Sequence, residues 1–196
     1  MQRIKIADES ASPNFIGAWN YQSEVYEQLI QYFEHNTINQ FPGTSSGQVM
    51  ANQKLSTDIT IHPANLLEQE NVALREYIKI LATCYQDYAQ SWPFLKGLGQ
   101  LDIGAFNIQK YSAGGHFSQL HCERSSRRTS QRVFAWMTYL NNVECGGDTE
   151  FFHYDIKVTP RTGTTLIWPA EWTHAHRGDF VTKGEKYIIT GWMEFP

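Results

Sequence analysis

His121 and Glu123 stand two positions apart, an imidazole and a carboxylate separated by Cys122. On a strand, side chains alternate between faces, so both would project one way and Cys122 the other. Two such groups supply two of the three ligands of a two-histidine, one-carboxylate metal centre, and His176 is the candidate third. Neutral imidazoles with one carboxylate suit Fe(II), whereas a thiolate-rich set would favour other metals. By itself His-x-Glu is more often a solvated strand pair than a pair of metal ligands, so the assignment depends on what the chain places around it.

The elements that must position these residues fall into two textures. From Ser23, a candidate N-cap, the residues Val25, Tyr26, Leu29, Ile30 and Phe33 recur at helical spacing, with an end near His35 and Asn36. A second apolar stripe, Leu67, Leu74, Ile78, Leu81, Tyr85 and Tyr88, traces one helical face and closes at Trp92-Pro93. Such stripes are core packing and carry no chemistry here. Beyond Gly99 the chain turns to short strand-like runs over 101–111, 117–123, 132–141, 149–152, 164–168, 174–177 and 186–194. Helices followed by many short strands predict an α+β protein, an antiparallel sandwich or jelly roll buttressed by N-terminal helices. No repeat or linker splits the chain, so 1–196 is expected to be a single domain, with 1–99 mainly helical support and 100–196 the core holding the metal site.

Composition narrows the classes. A net charge of -4 argues against a surface built mainly for nucleic acid. Three cysteines, Cys84, Cys122 and Cys145, make no even disulfide set and no C-x-x-C pair, which suggests free thiols in a reducing compartment. The N-terminus lacks an apolar signal-like run, and the apolar stretches are too short for a membrane span. A cytoplasmic protein with no membrane partner is expected.

Several pieces in a fixed order carry a family resemblance over roughly residues 104–194. They are Tyr111 with its glycine-containing approach to His121; the run from Arg132 to Tyr139-Leu140-Asn141; Gly146-Gly147-Asp148-Thr149-Glu150-Phe151; Pro160-Arg161-Thr162-Gly163; and the stretch from His176 to Lys186-Tyr187. This half resembles the 2-oxoglutarate- and Fe(II)-dependent oxygenases, specifically their prolyl 4-hydroxylase-like branch.

The resemblance implies a double-stranded β-helix, a jelly roll whose mouth holds iron through His121, Glu123 and His176. It settles His176 over His174, because the family places its distal histidine ten residues before the basic residue that holds the cosubstrate, here Lys186. His174 is then a packing neighbour, and His116 a loop or strand histidine. Lys186 is expected to pair with the far carboxylate of 2-oxoglutarate, with Tyr139 donating its hydroxyl and Thr190 assisting. The strand phase agrees, since Lys186, Ile188, Thr190 and Trp192 share one face. Tyr111 resembles a family tyrosine near the iron, and Trp192 an aromatic on the substrate side; both are candidate catalytic residues, with core packing the plain alternative. Arg132 matches a recurrent family arginine, whereas Arg124, Arg127 and Arg128 read as a solvated loop.

One residue departs from the family pattern: the usual acid is aspartate, and this chain carries Glu123. The implied cofactors are Fe(II) and 2-oxoglutarate, and the resemblance allows ascorbate as a further one. The implied reaction hydroxylates an unactivated C–H bond, with a prolyl residue in a peptide or protein as first choice of substrate. A free amino acid or a nucleobase stays open within the same chemistry. From a different class, Glu123 leaves room for a catalytically silent jelly-roll module that binds metal and acts by interaction.

Overall fold

A computed structural model describes residues 1–6, 13–45 and 47–196. Val25–His35 (α1) buries Val25, Tyr26, Leu29 and Phe33 on one face. The Ser23 hydroxyl accepts the Val25 N–H at 3.2 Å, close to the start expected there. Val72–Ser91 (α2) buries Leu74, Tyr77, Leu81, Cys84 and Tyr88. The expected stripe was therefore rotated slightly: Ile78 and Tyr85 are half-buried at its flank. Leu67 is not on the helix at all; it ends the short 3-10 turn Pro63–Leu67 and is 85% exposed. Steps of three and four accommodate either set, and only packing against the sheet selects Tyr77 and Cys84.

The strands form two large antiparallel sheets and a separate two-stranded pair, Cys145–Gly146 with Val181–Lys183. The larger runs in the order Gln2–Arg3, Gly17–Asn20, Thr164–Pro169, Arg132–Tyr139, Lys186–Glu194, Phe106–Tyr111, Thr57–Ile61 and Phe41–Pro42, with Asp102–Ile103 also on Lys186–Glu194. The smaller runs Ile156–Val158, Thr149–Phe151, His176–Gly178, His116–His121 and Lys54–Leu55. Residues from both sheets share one buried cluster, including Tyr111, Met137, Tyr139, Trp168 and Ile188 from the larger and Phe151, Ile156 and Val158 from the smaller. Two antiparallel sheets closed over a common core are the expected jelly roll. The first half of the chain is more than helical support, because its strands extend both sheets.

Alternation along two strands divides the molecule. In Arg132–Tyr139, Phe134 and Trp136 pack against the helices, whereas Ala135, Met137 and Tyr139 face the jelly-roll interior. In Lys186–Glu194, Tyr187, Ile189 and Met193 join the helical side, leaving Lys186, Ile188, Thr190 and Trp192 inward. Gly191 is required where the layers approach, because a Cβ there would meet Trp136 at 2.5 Å and Phe106 at 2.6 Å. Strands Cys145–Gly146, Ile156–Val158 and Val181–Lys183 were not expected from the sequence; two or three residues are too few to show a period.

Candidate metal centre and its surroundings

Cross-strand register brings the two histidines together. His176 pairs directly with His121 on one side and with Phe151 on the other. Glu123 lies just past the end of strand His116–His121, in a bend, so strand alternation alone does not place it. Its side chain nonetheless turns back to the pair. Oε1 lies 3.6 Å from His121 Nε2 and 3.4 Å from His176 Nε2. One donor atom from each of His121, Glu123 and His176 falls within 4.8 Å of the other two. Cys122 stays out of the cluster, its thiol donating to the Arg124 carbonyl.

The imidazole tautomers follow from their other nitrogens. His121 Nδ1 lies 2.8 Å from the Gln119 carbonyl and His176 Nδ1 lies 2.9 Å from the His174 carbonyl. A carbonyl only accepts, so each Nδ1 carries the proton and each Nε2 presents a lone pair. Burial and the neighbouring His121 push the pKa of His176 down, favouring that neutral ring. Burial opposes ionisation of Glu123, but hydrogen bonds and charge attraction from His121 and His176, in the protonated form that a bound cation would replace, outweigh it and hold the carboxyl well below its usual range. Three lone-pair donors thus converge with only one negative charge among them, an arrangement that could hold a cation. The set fits a divalent iron-type ion.

Aromatic packing fixes the cluster. Phe117 stacks on His121 with centroids 3.9 Å apart, and Trp168 meets His176 edge-on at 5.0 Å. His176 keeps 8% of its side-chain surface and His121 keeps 20%, so the cluster opens to solvent on the His121 side.

Deeper in the jelly roll, Lys186 is buried and forms no ion pair with any described carboxylate. Its ammonium donates to the Gly147 carbonyl at 2.8 Å and sits 4.8 Å over the Tyr111 ring. Burial lowers its pKa to about 8, against the weaker pull of Asp148 and Asp179. Gly147 holds φ +75, which turns that carbonyl to the amine, and a Cβ there would sit 3.2 Å from the lysine stem. A buried ammonium held by one carbonyl is a poorly compensated charge that an anion would complete.

Residues 106–194 match the model of the 2OG-Fe(II) oxygenase superfamily. A probable prolyl 4-hydroxylase from Arabidopsis thaliana is 30% identical over 45% of this chain and 40% of its own length. The chain therefore spans less than half of that relative. The fold agrees over nearly the whole chain. A Pseudomonas putida prolyl-4-hydroxylase superposes with a TM-score of 0.72 at 15% identity, covering 93% of this chain and 94% of that one. A Trichoplax adhaerens prolyl hydroxylase, solved with a hypoxia inducible factor peptide fragment, gives 0.68 at 17% identity, covering 92% and 84%.

Against the oxygenase pattern the other expected residues are placed unevenly. The Tyr139 hydroxyl is inside the jelly roll but donates toward Thr149 Oγ1 at 2.7 Å and the Val158 carbonyl at 3.1 Å. The Thr190 hydroxyl donates to the Trp136 carbonyl at 2.8 Å. Both hydroxyl protons are thus committed to the protein itself, and of the three expected cosubstrate contacts Lys186 alone offers an uncompensated charge. His174 is a packing residue, in a 3-10 turn with Nε2 2.8 Å from the Asn14 carbonyl. His116 is buried against Phe180. Arg124 is tied to Glu171 and to the Ser130 carbonyl, while Arg127 and Arg128 are exposed.

Not anticipated from the sequence was a buried polar chain behind Tyr111. The tyrosine hydroxyl donates to Gln109 Oε1 at 2.7 Å, Gln109 Nε2 donates to Asp58 Oδ2 at 3.1 Å, and Lys54 Nζ reaches the same oxygen at 2.7 Å. Burial and the Asp58 charge raise the Tyr111 pKa well above normal, so the phenol remains a donor. Lys54 and Asp58 each keep only 4% of their side-chain surface. Asp58→Ala strands the ammonium and is expected to cost about 3–5 kcal/mol of unfolding free energy in urea titrations. A loss under about 1 kcal/mol, the range of an exposed pair, would contradict that burial.

Proposed function

We propose that this chain is an Fe(II)- and 2-oxoglutarate-dependent hydroxylase acting on a prolyl residue of a peptide or protein. The observation that carries the reading is the convergence of His121, Glu123 and His176 donors in the mouth of a jelly roll. The oxygenase match over residues 106–194 and the prolyl hydroxylase relatives support the same choice.

In this reading His121 Nε2, Glu123 Oε1 and His176 Nε2 hold the iron, which with the keto acid supplies the oxidising chemistry. The Gln119 and His174 carbonyls keep both imidazoles in the metal-binding tautomer. Lys186 holds the far carboxylate of 2-oxoglutarate, and Tyr111 forms the wall beneath that ammonium. Tyr139 and Thr190 line the same interior. Phe151 and Trp168 shield His176 from water. The whole of 1–196 works as one unit, since strands from both halves build each of the two large sheets. No helix among the described residues is long and apolar enough to cross a membrane. The free thiols Cys84, Cys122 and Cys145 favour a reducing, cytoplasmic setting.

Incubation with Fe(II), 2-oxoglutarate, ascorbate and a panel of proline-containing peptides tests the substrate class. One added oxygen on proline, by fragment mass, is the expected result. Succinate formed steadily while every peptide stays unchanged would keep the oxygenase and remove the prolyl assignment.

A further inference from the structure

Glu123 presents its two carboxylate oxygens to different surroundings. Oε1 faces the two imidazoles, whereas Oε2 accepts the Trp192 indole N–H at 2.6 Å. The indole is itself held. The Arg132 guanidinium lies over its ring, with Cζ 3.4 Å from the centroid. Arg132 Nη1 donates to the Glu123 carbonyl at 3.1 Å and lies 3.6 Å from Oε2, while its Nε donates to Glu194 Oε1 at 3.3 Å. Glu194 is two residues beyond Trp192 and opposite Arg132 in register, so one strand carries both ends of this clamp.

Resting on the metal site proposed above, we infer that Trp192, braced by Arg132, is a positioning residue that reserves Oε2 of Glu123 and offers only Oε1 to the ion. A glutamate has one more rotatable bond than an aspartate, so its carboxylate can swing and present both oxygens. Presenting both would occupy a position that a cosubstrate needs. The indole N–H removes that freedom by a charge-assisted hydrogen bond. It also accounts for the longer acid: with the indole on strand Lys186–Glu194, the extra methylene carries the carboxylate far enough to reach both the imidazoles and Trp192. Trp192 thereby acts through the ligand, by its contact with Glu123.

Cobalt(II) titration of the metal-stripped protein, followed by d–d absorbance, tests this without turnover. Trp192→Phe keeps the ring and loses the N–H; it should weaken Co(II) binding by about 10–100-fold, the range for partners of metal ligands, because the unanchored carboxylate must be ordered on binding at a cost greater than a second oxygen returns. Glu123→Asp should weaken binding as well, despite aspartate being the family's usual acid, because the shorter side chain cannot keep both contacts. The double variant should be no weaker than the weaker single, since both remove one hydrogen bond. Arg132→Lys, which keeps the charge but not the flat stack, gives the same test should Trp192→Phe fail to fold. Unchanged affinity in Trp192→Phe, additive losses in the double variant, or tighter binding by Glu123→Asp would each overturn the inference. Cobalt binding that His121→Ala leaves intact would instead remove the metal site, and this inference with it.

Discussion

His176→Ala is expected to weaken divalent-metal binding by more than about 100-fold, the upper range for groups that merely support a ligand. Turnover should fall to background. The magnitude follows from the donor count: one imidazole and one carboxylate remain, and neither can be replaced from nearby, since the only described His/Cys/Asp/Glu cluster of suitable spacing is this one. His116→Ala is the matched control. That histidine is also buried but packs on Phe180, so its loss should lower stability and leave metal affinity unchanged. Isothermal titration with Co(II) separates the two, and equal losses in both variants would contradict the assignment of His176.

Lys186→Met should move binding and stability in opposite directions. Cosubstrate affinity is expected to drop by about 2–5 kcal/mol, or roughly 30- to 5,000-fold, as a buried charge partner is removed. The unliganded fold should become more stable, because a buried ammonium without a carboxylate is replaced by an apolar chain of similar length. A purely structural lysine would lose stability instead. The pH dependence has a defined sign. The folded-state pKa of about 8 is below the ordinary 10.5, so the unfolded chain binds more protons between these values. Stability from this group therefore rises as pH climbs from about 8 to 10.5. A dianion beside the amine restores the proton, so 2-oxoglutarate affinity should be flat below pH 8 and fall by up to about tenfold per unit above it. Proton uptake on binding at pH 9, read by calorimetry in two buffers, checks this; proton release would contradict it.

Much of the architecture was legible because one pattern dominates the second half. Lys186–Glu194 and Arg132–Tyr139 alternate cleanly between a helix-packed face and an interior face, and that phase placed Lys186 inward. His176 was legible through the family resemblance, which puts the distal histidine ten residues before Lys186, and the structure pairs it directly with His121. What escaped was tertiary. Glu123 leaves its strand before it reaches the imidazoles, so its convergence depends on the Trp192 and Arg132 contacts and not on alternation. Lys54, Asp58 and Gln109 read as ordinary polar positions, since partners as much as 51 residues apart leave no local signature. Leu67 illustrates the reverse: a residue in phase with a helix that starts only at Val72.

In the proposed enzyme three donors take one iron within reach of an anion held by Lys186. Anaerobic addition of Fe(II) and 2-oxoglutarate to the folded protein tests it most directly. A weak visible charge-transfer band, absent in His176→Ala and requiring more keto acid in Lys186→Met, is the predicted result. Iron bound to the folded wild-type chain with no such band at saturating 2-oxoglutarate would contradict it.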